Sequence, residues 1–134
     1  MSTFFITKHI HSIVFMKLKI IDNVPFSYAN EKLSHMGFDV VTMDGSIDRS
    51  TARATVGDRC GLQGNYDPAE LVEANGKTAE TVQETAKQYI DDFGPQRLIA
   101  NLGEGLGGKE STDLVKVFID TIHDYSEQKI KEIS

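Results

Sequence analysis

The sequence predicts an α/β fold of about four parallel strands with intervening helices, one half of a (β/α)8 TIM barrel. Three observations predict it. Short apolar, often β-branched runs alternate four times with amphipathic helical stretches. The runs lack the polar alternation of a half-solvated antiparallel sheet, so they read as strands covered on both faces. The chain has 134 residues, about half of the roughly 250 that a closed eight-fold barrel needs.

The elements follow in order. Residues 17–22 (KLKIID) form the first strand candidate, and FSYANEKLSHMG reads as a helix with Gly37 at its C-terminal cap. FDVVTMD is a β-branched run ending at Asp44 and Gly45. DRSTARATVG has room for one or two helical turns closed by Gly57, and RCGLQG, residues 59–64, is the third strand. Asp67, Pro68 and Glu70 make a helix start, with an acidic cap, Pro at the first position and Glu at the third. A longer helix runs from about Thr78 to Phe93, with Ala79, Val82, Ala86, Tyr89 and Phe93 on one face, and stops at Gly94-Pro95. RLIANL, residues 97–102, is the fourth strand. A glycine-rich turn then leads to Ser111 as N-cap of a last helix carrying Leu114, Val115, Phe118, Ile119, Ile122 and Tyr125 on one face.

Composition narrows the function classes. Hydrophobic residues are 40% and charged residues 25%, which suits one globular domain. A formal net charge of −6 argues against a general binder of nucleic-acid phosphates. A single cysteine, Cys60, excludes an internal disulfide and a cysteine-built zinc site. The N-terminal segment interrupts its apolar runs with Lys8, Lys17 and Lys19, so it holds no membrane span, and neither a secretory nor an Arg-rich transit pattern fits. The expected location is cytoplasmic, with no membrane and no nucleic-acid partner.

Each motif has a bland reading to beat. GEGLGG matches G-x-G-x-x-G at Gly103, Gly105 and Gly108, but no further strand follows its helix to supply a ribose-binding acid. The glycines therefore read as a tight βα loop presenting backbone N–H groups. His9 and His11 have no third ligand in view, so no metal site is expected. His35 suits a helix C-terminus and His123 a solvated helix face. More informative are Asp22, Asp44, Gln63, Asn65, Asp67, Asn101 and Glu104, all at or just past strand C-terminal ends. That is the face where barrels bind ligands and place proton-transfer groups. Asp67 also serves as a helix cap, and Asn101 as a partner for loop backbone.

Taken in order and spacing, MGFDVVTMD, VGDRCGLQGNYDP, DDFGPQRLIANLGEG and the last helix resemble the uroporphyrinogen decarboxylase family. The family carries L-Q-G-N-L-D-P where this chain has Leu62-Gln63-Gly64-Asn65-Tyr66-Asp67-Pro68. It carries D-F-G, then a strand ending N-L-G-H-G, where this chain has Asp92-Phe93-Gly94 and Asn101-Leu102-Gly103-Glu104-Gly105. The resemblance covers the C-terminal part of a single (β/α)8 barrel and runs from about Lys17. It leaves residues 1–16 as an atypical N-terminal segment and 17–134 as the half-barrel domain.

The resemblance implies a cofactor-free carboxy-lyase of haem synthesis. Such an enzyme removes the carboxyl groups of the four acetate side chains of uroporphyrinogen to give coproporphyrinogen. An aspartate in the N-terminal half of the family holds the pyrrole N–H groups and arginines there meet substrate carboxylates. A tyrosine and the histidine of N-L-G-H-G also line the pocket. The substrate-binding candidates carried over are Glu104 at the family histidine position, with Asp44, Gln63, Asn65, Asn101, Gly103 and Gly105. No catalytic residue is assigned, because the N-terminal functional residues have no counterpart here.

Two departures stand out. Glu104 replaces an imidazole with a carboxylate that repels a polycarboxylate substrate. Gly45 replaces a tryptophan common after the matching aspartate. The related zinc-binding methyltransferases use His-x-Cys and a further Cys, which Cys60 alone cannot supply. The expectation is an incomplete or degenerate decarboxylase, the alternative a non-catalytic remnant that docks through open barrel edges. Either way a half-barrel exposes strand edges and its inner face, so a homodimer or pairing with a full-length homologue is expected.

Overall fold

The computed structural model describes residues 32, 34–43 and 45–134. Strand β1 (Val40–Thr42), helix α1 (Arg49–Val56), strand β2 (Gly61–Gln63), two 3-10 turns (Pro68–Leu71 and Glu73–Asn75), helix α2 (Ala79–Phe93), strand β3 (Leu98–Ile99) and helix α3 (Thr112–Ile133) follow in order. The strands form one parallel sheet in the order β1-β2-β3. Val41 sits opposite Leu62, and Leu62 opposite Leu98. The strand candidate at residues 17–22 lies outside the described residues, as do His9, His11, Asp22, Asp44 and the segment 1–16. Lys32, Ser34 and His35, from the first helix candidate, are helical.

Local chemistry sets the helix ends. Asp48 caps α1, its carboxylate accepting the Thr51 N–H at 2.7 Å; the Thr51 side-chain hydrogen bond first, and then this backbone bond, hold its pKa low. Thr78 caps α2 in a reciprocal box with Thr81, whose hydroxyl accepts the Thr78 N–H at 2.9 Å. The C-terminus of α2 is closed by Arg53 of α1. Its Nε donates to the Phe93 carbonyl at 2.7 Å, and its Nη2 reaches the carbonyls of Gln96 and Arg97. One guanidinium thus satisfies carbonyls that a helix end leaves without partners.

The helix expected at Asp67 is instead a pair of 3-10 turns. Asp67 still caps, accepting the Ala69 N–H at 2.8 Å. Propagation stops because Leu71 is fully buried and its carbonyl accepts the Ser111 N–H, while Val72 is extended. Ser111 precedes α3 as expected, but its hydroxyl does not cap the helix; it donates to Glu73 at 2.6 Å.

One core lies between the sheet and the helices. Val41 and Leu62 from the strands meet Val82, Ala86, Tyr89, Ile90 and Phe93 of α2 and Leu114, Phe118 and Ile122 of α3. An aromatic cluster centres it: Tyr66 and Phe118 have centroids 4.3 Å apart, and Tyr89 meets Phe93 edge-on at 5.0 Å. The outer seam of α2 and α3 carries a polar group in which Lys129 and Tyr125 both bond Asp91. That pairing pushes the Lys129 pKa up to about 12, mainly through the Asp91 hydrogen bond. No helix among the described residues is long and apolar enough to cross a membrane.

Two substitutions separate core from cap. Phe118→Ala removes the ring between Tyr66 and Tyr89 and is expected to cost about 3–5 kcal/mol. Thr78→Ala is expected to cost about 1 kcal/mol. The urea midpoints of the two variants check the ranking, and an equal shift would contradict it.

Candidate functional site

The period of two along each strand sorts the sheet into faces. Val41, Leu62 and Leu98 pack into the core, so Thr42, Gln63 and Ile99 share the opposite face. These three are in register across the sheet, with Thr42 beside Gln63 and Gln63 beside Ile99. Thr42 is exposed, and Gln63 and Ile99 are half-buried. Two polar side chains, Thr42 and Gln63, and the apolar Ile99 therefore face away from the helices at the C-terminal ends of the strands.

The loops beyond these residues converge. Gly103 lies where a Cβ would come within 3.1 Å of the Gly45 Cα and 3.5 Å of the Asn65 carbonyl. The loops after β1, β2 and β3 therefore meet there, and a side chain at 103 would push them apart. Gly64 is tighter still. It has φ +115°, and a Cβ there would stand 2.7 Å from the Met43 carbonyl oxygen. The Met43 N–H in turn donates to the Gln63 carbonyl at 2.7 Å, fixing β1 and β2 together at this end.

The other candidates divide by what their side chains already do. Asn65 is buried, at 2% exposure. Its Nδ2 donates to the Ile47 carbonyl at 3.0 Å, and its Oδ1 accepts from Arg49 Nε at 3.1 Å. Those bonds brace the β1 loop. Asn101 is half-buried and its Oδ1 accepts the Leu102 N–H at 2.9 Å, the loop-satisfying role open to it in the sequence. Glu104 is exposed beside Gly103, and Gly105 stands in open space. The geometry thus brings together the loops of Gln63, Asn65, Asn101 and Gly103, with Glu104 at their rim.

Two side chains that the motifs did not flag organise these loops. Tyr89 of α2 is fully buried. Its hydroxyl donates to the Gly64 carbonyl and accepts the Asn101 N–H at 3.4 Å. Burial raises the Tyr89 pKa, so the phenol stays a donor. Arg49 lies over the Tyr89 ring, 5.1 Å from its centroid, between Asn65 and Asp92 of α2, whose carboxylate is 3.7 Å from its Nη1. The available signal was a hydroxyl on an otherwise apolar helix face, because a buried phenol needs a partner.

The glycine-rich turn is occupied by its own chain. Glu110 accepts the N–H groups of Gly107, Gly108 and Lys109 at 3.0, 2.9 and 3.1 Å. Backbone hydrogen bonds, that from Gly107 foremost, hold its pKa low. Two of the N–H groups that the turn was expected to present, those of Gly107 and Gly108, are therefore used. Cys60 is buried, and burial raises its thiol pKa against the nearby arginines, which disfavours thiolate chemistry. Among the described residues no three His, Cys, Asp or Glu side chains group as a metal site.

A parallel three-stranded sheet with its helices places the chain in the α/β class. Comparison with known proteins makes this specific. The family model described as Uroporphyrinogen decarboxylase (URO-D) matches residues 5–125. The uroporphyrinogen decarboxylase of Mus musculus is 40% identical over 99 residues, 74% of this chain and 26% of that protein. That of Danio rerio is 35% identical over 118 residues, covering 83% of this chain and 31% of the relative. That of the bacterium Salinibacter ruber (strain DSM 13855 / M31) is 34% identical over 99 residues, 74% and 27% of the two chains. The chain belongs to the uroporphyrinogen decarboxylase family. It spans between a quarter and a third of the length of these relatives.

Two consequences are measurable. Gly64→Ala places a methyl against backbone that no rotamer change relieves, and it is expected to cost about 1–3 kcal/mol in urea unfolding. An unchanged midpoint would contradict the close approach to Met43. For Glu110, a carboxyl whose folded pKa is depressed contributes its bonds at and above its ordinary 4.5, and loses them as pH falls through the lowered value. The Gly107 and Gly108 amide proton shifts are therefore expected to titrate together in NMR, with a midpoint below 4.5. Separate midpoints, or a shared one above that value, would contradict the shared carboxylate.

Proposed function

We propose that this chain serves uroporphyrinogen decarboxylation by supplying one side of the porphyrinogen pocket. The observation that carries the reading is the meeting of the Q-G-N and N-L-G loops at the strand C-terminal ends of a family member. In this reading the three-stranded sheet is part of a (β/α)8 barrel whose interior is faced by Thr42, Gln63 and Ile99. Gln63 and Thr42 offer uncharged hydrogen-bond donors to acetate or propionate carboxylates. Asn65 and Asn101 act through backbone and loop position, since their side chains already have partners. Proton transfer to the pyrrole, loss of carbon dioxide and reprotonation of the methyl carbon need the aspartate and arginines of the family's N-terminal half.

Glu104 weakens substrate binding in this chain. Its carboxylate stands at the rim where the family pattern has histidine, and like charges repel without a compensating cation. A second reading rests on the same residue and on the exposure of Thr42: a non-catalytic partner that docks on a full-length homologue through its sheet.

Anaerobic incubation with uroporphyrinogen, followed by chromatography of the seven-, six-, five- and four-carboxyl products, tests the proposal. The expected result is product only when the chain is joined to an N-terminal half bearing the aspartate and arginines. Glu104→His is expected to raise that yield by about tenfold, the equivalent of removing one modest charge repulsion. Product from the chain alone would overturn the need for the other half. No product from the joined protein, together with co-elution of the chain with a full-length homologue, would favour the docking reading.

A further inference from the structure

The hydrogen bonds joining β2 to β3 follow the even, slanted pattern of a parallel pair up to one position. The Leu62 N–H donates to Arg97 O at 2.9 Å, the Gly64 N–H to Ile99 O at 3.3 Å, and the Tyr66 N–H to Asn101 O at 3.0 Å. The return rung between the last two would run from the Asn101 N–H to the Gly64 carbonyl. Instead the Tyr89 hydroxyl occupies it, accepting from Asn101 N–H and donating to Gly64 O. Beyond it the backbone bonds resume, with Gly103 N–H donating to Tyr66 O at 2.8 Å.

We infer that Tyr89 is a positioning residue, its hydroxyl a built-in rung that sets the spacing of the Gly64-Asn65 and Asn101-Gly103 loops at the mouth of the site. A hydroxyl interposed between an N–H and a carbonyl holds the two strands farther apart than a direct bond does, while leaving neither group unpaired. It opens the sheet just where Gln63 and Asn101 emerge. The ring is locked by Phe93 edge-on and by the Arg49 guanidinium, so the hydroxyl has one place to go. Arg49 also holds Asn65, which ties the same aromatic ring to the loop it spaces. For ligand binding, the inference rests on the proposed function above.

Tyr66 is the matched control. It is equally buried, but its hydroxyl bonds Thr85 of α2 at 2.6 Å and touches no strand end. Tyr89→Phe and Tyr66→Phe each remove one buried hydroxyl and keep the ring. Two measurements follow on the intact chain: amide exchange at Asn101 relative to Leu62, and quenching of uroporphyrin fluorescence on binding. The Tyr89→Phe variant is expected to exchange at Asn101 about tenfold faster, the scale of one lost hydrogen bond, and to bind uroporphyrin severalfold more weakly. Tyr66→Phe is expected to change neither beyond its loss of global stability. Unchanged exchange at Asn101 in Tyr89→Phe, or equal loss of binding in both variants, would overturn the positioning role. If the unaltered chain binds no uroporphyrin, the exchange at Asn101 alone decides the role of Tyr89, and the proposed function stands or falls on the product assay of the joined protein.

Discussion

The buried hydroxyl of Tyr89 is the contact on which the loop end of this protein depends. It lies on α2, yet its partners are backbone groups of the residues just after β2 and β3. Neither a buried carbonyl nor a buried N–H tolerates the loss of its partner, so the phenol binds helix and sheet into one unit. The ring contributes through packing against Phe93 and Phe118, and the hydroxyl through direction. Few side chains combine both, which is why a tyrosine at this position has consequences that phenylalanine would not share.

Close backbone approach is the second constraint. Gly64 and Gly103 let the three loops after β1, β2 and β3 come into contact; a Cβ at 64 would collide with main chain, and one at 103 would crowd it. Asn65 then has its amide group enclosed by Ile47 and Arg49. The motif Q-G-N thus mixes roles: Gln63 lies on the sheet face away from α2 and α3, glycine permits the approach, and asparagine braces the neighbouring loop. A recurring string of residues need not be a string of ligand contacts.

The acids of the glycine-rich loop divide by their surroundings. Glu110 is consumed by the glycine turn, so its negative charge is spread over three N–H donors. Glu104 is exposed at the rim. The two acids lie on the same loop but differ in surroundings, one bonded into the turn and one exposed.

Much was legible before any coordinates. The alternation of strands and helices, the parallel sheet, the span of α2 from its Thr78 cap to Phe93, and the buried faces of α2 and α3 follow from periodicity and capping, which are local. The motif strings pointed to the family, and the match over residues 5–125 bears that out. The helix expected at Asp67 became 3-10 turns because Leu71 bonds Ser111, a partner far along the chain. Asn65 proved to be a brace and Asn101 a loop partner, because a side chain's neighbours are set by which loops meet. The rung made by Tyr89 was invisible for the same reason. Spacing places a hydroxyl on a buried face, but only the packing of α2 against the ends of β2 and β3 decides which backbone groups it joins.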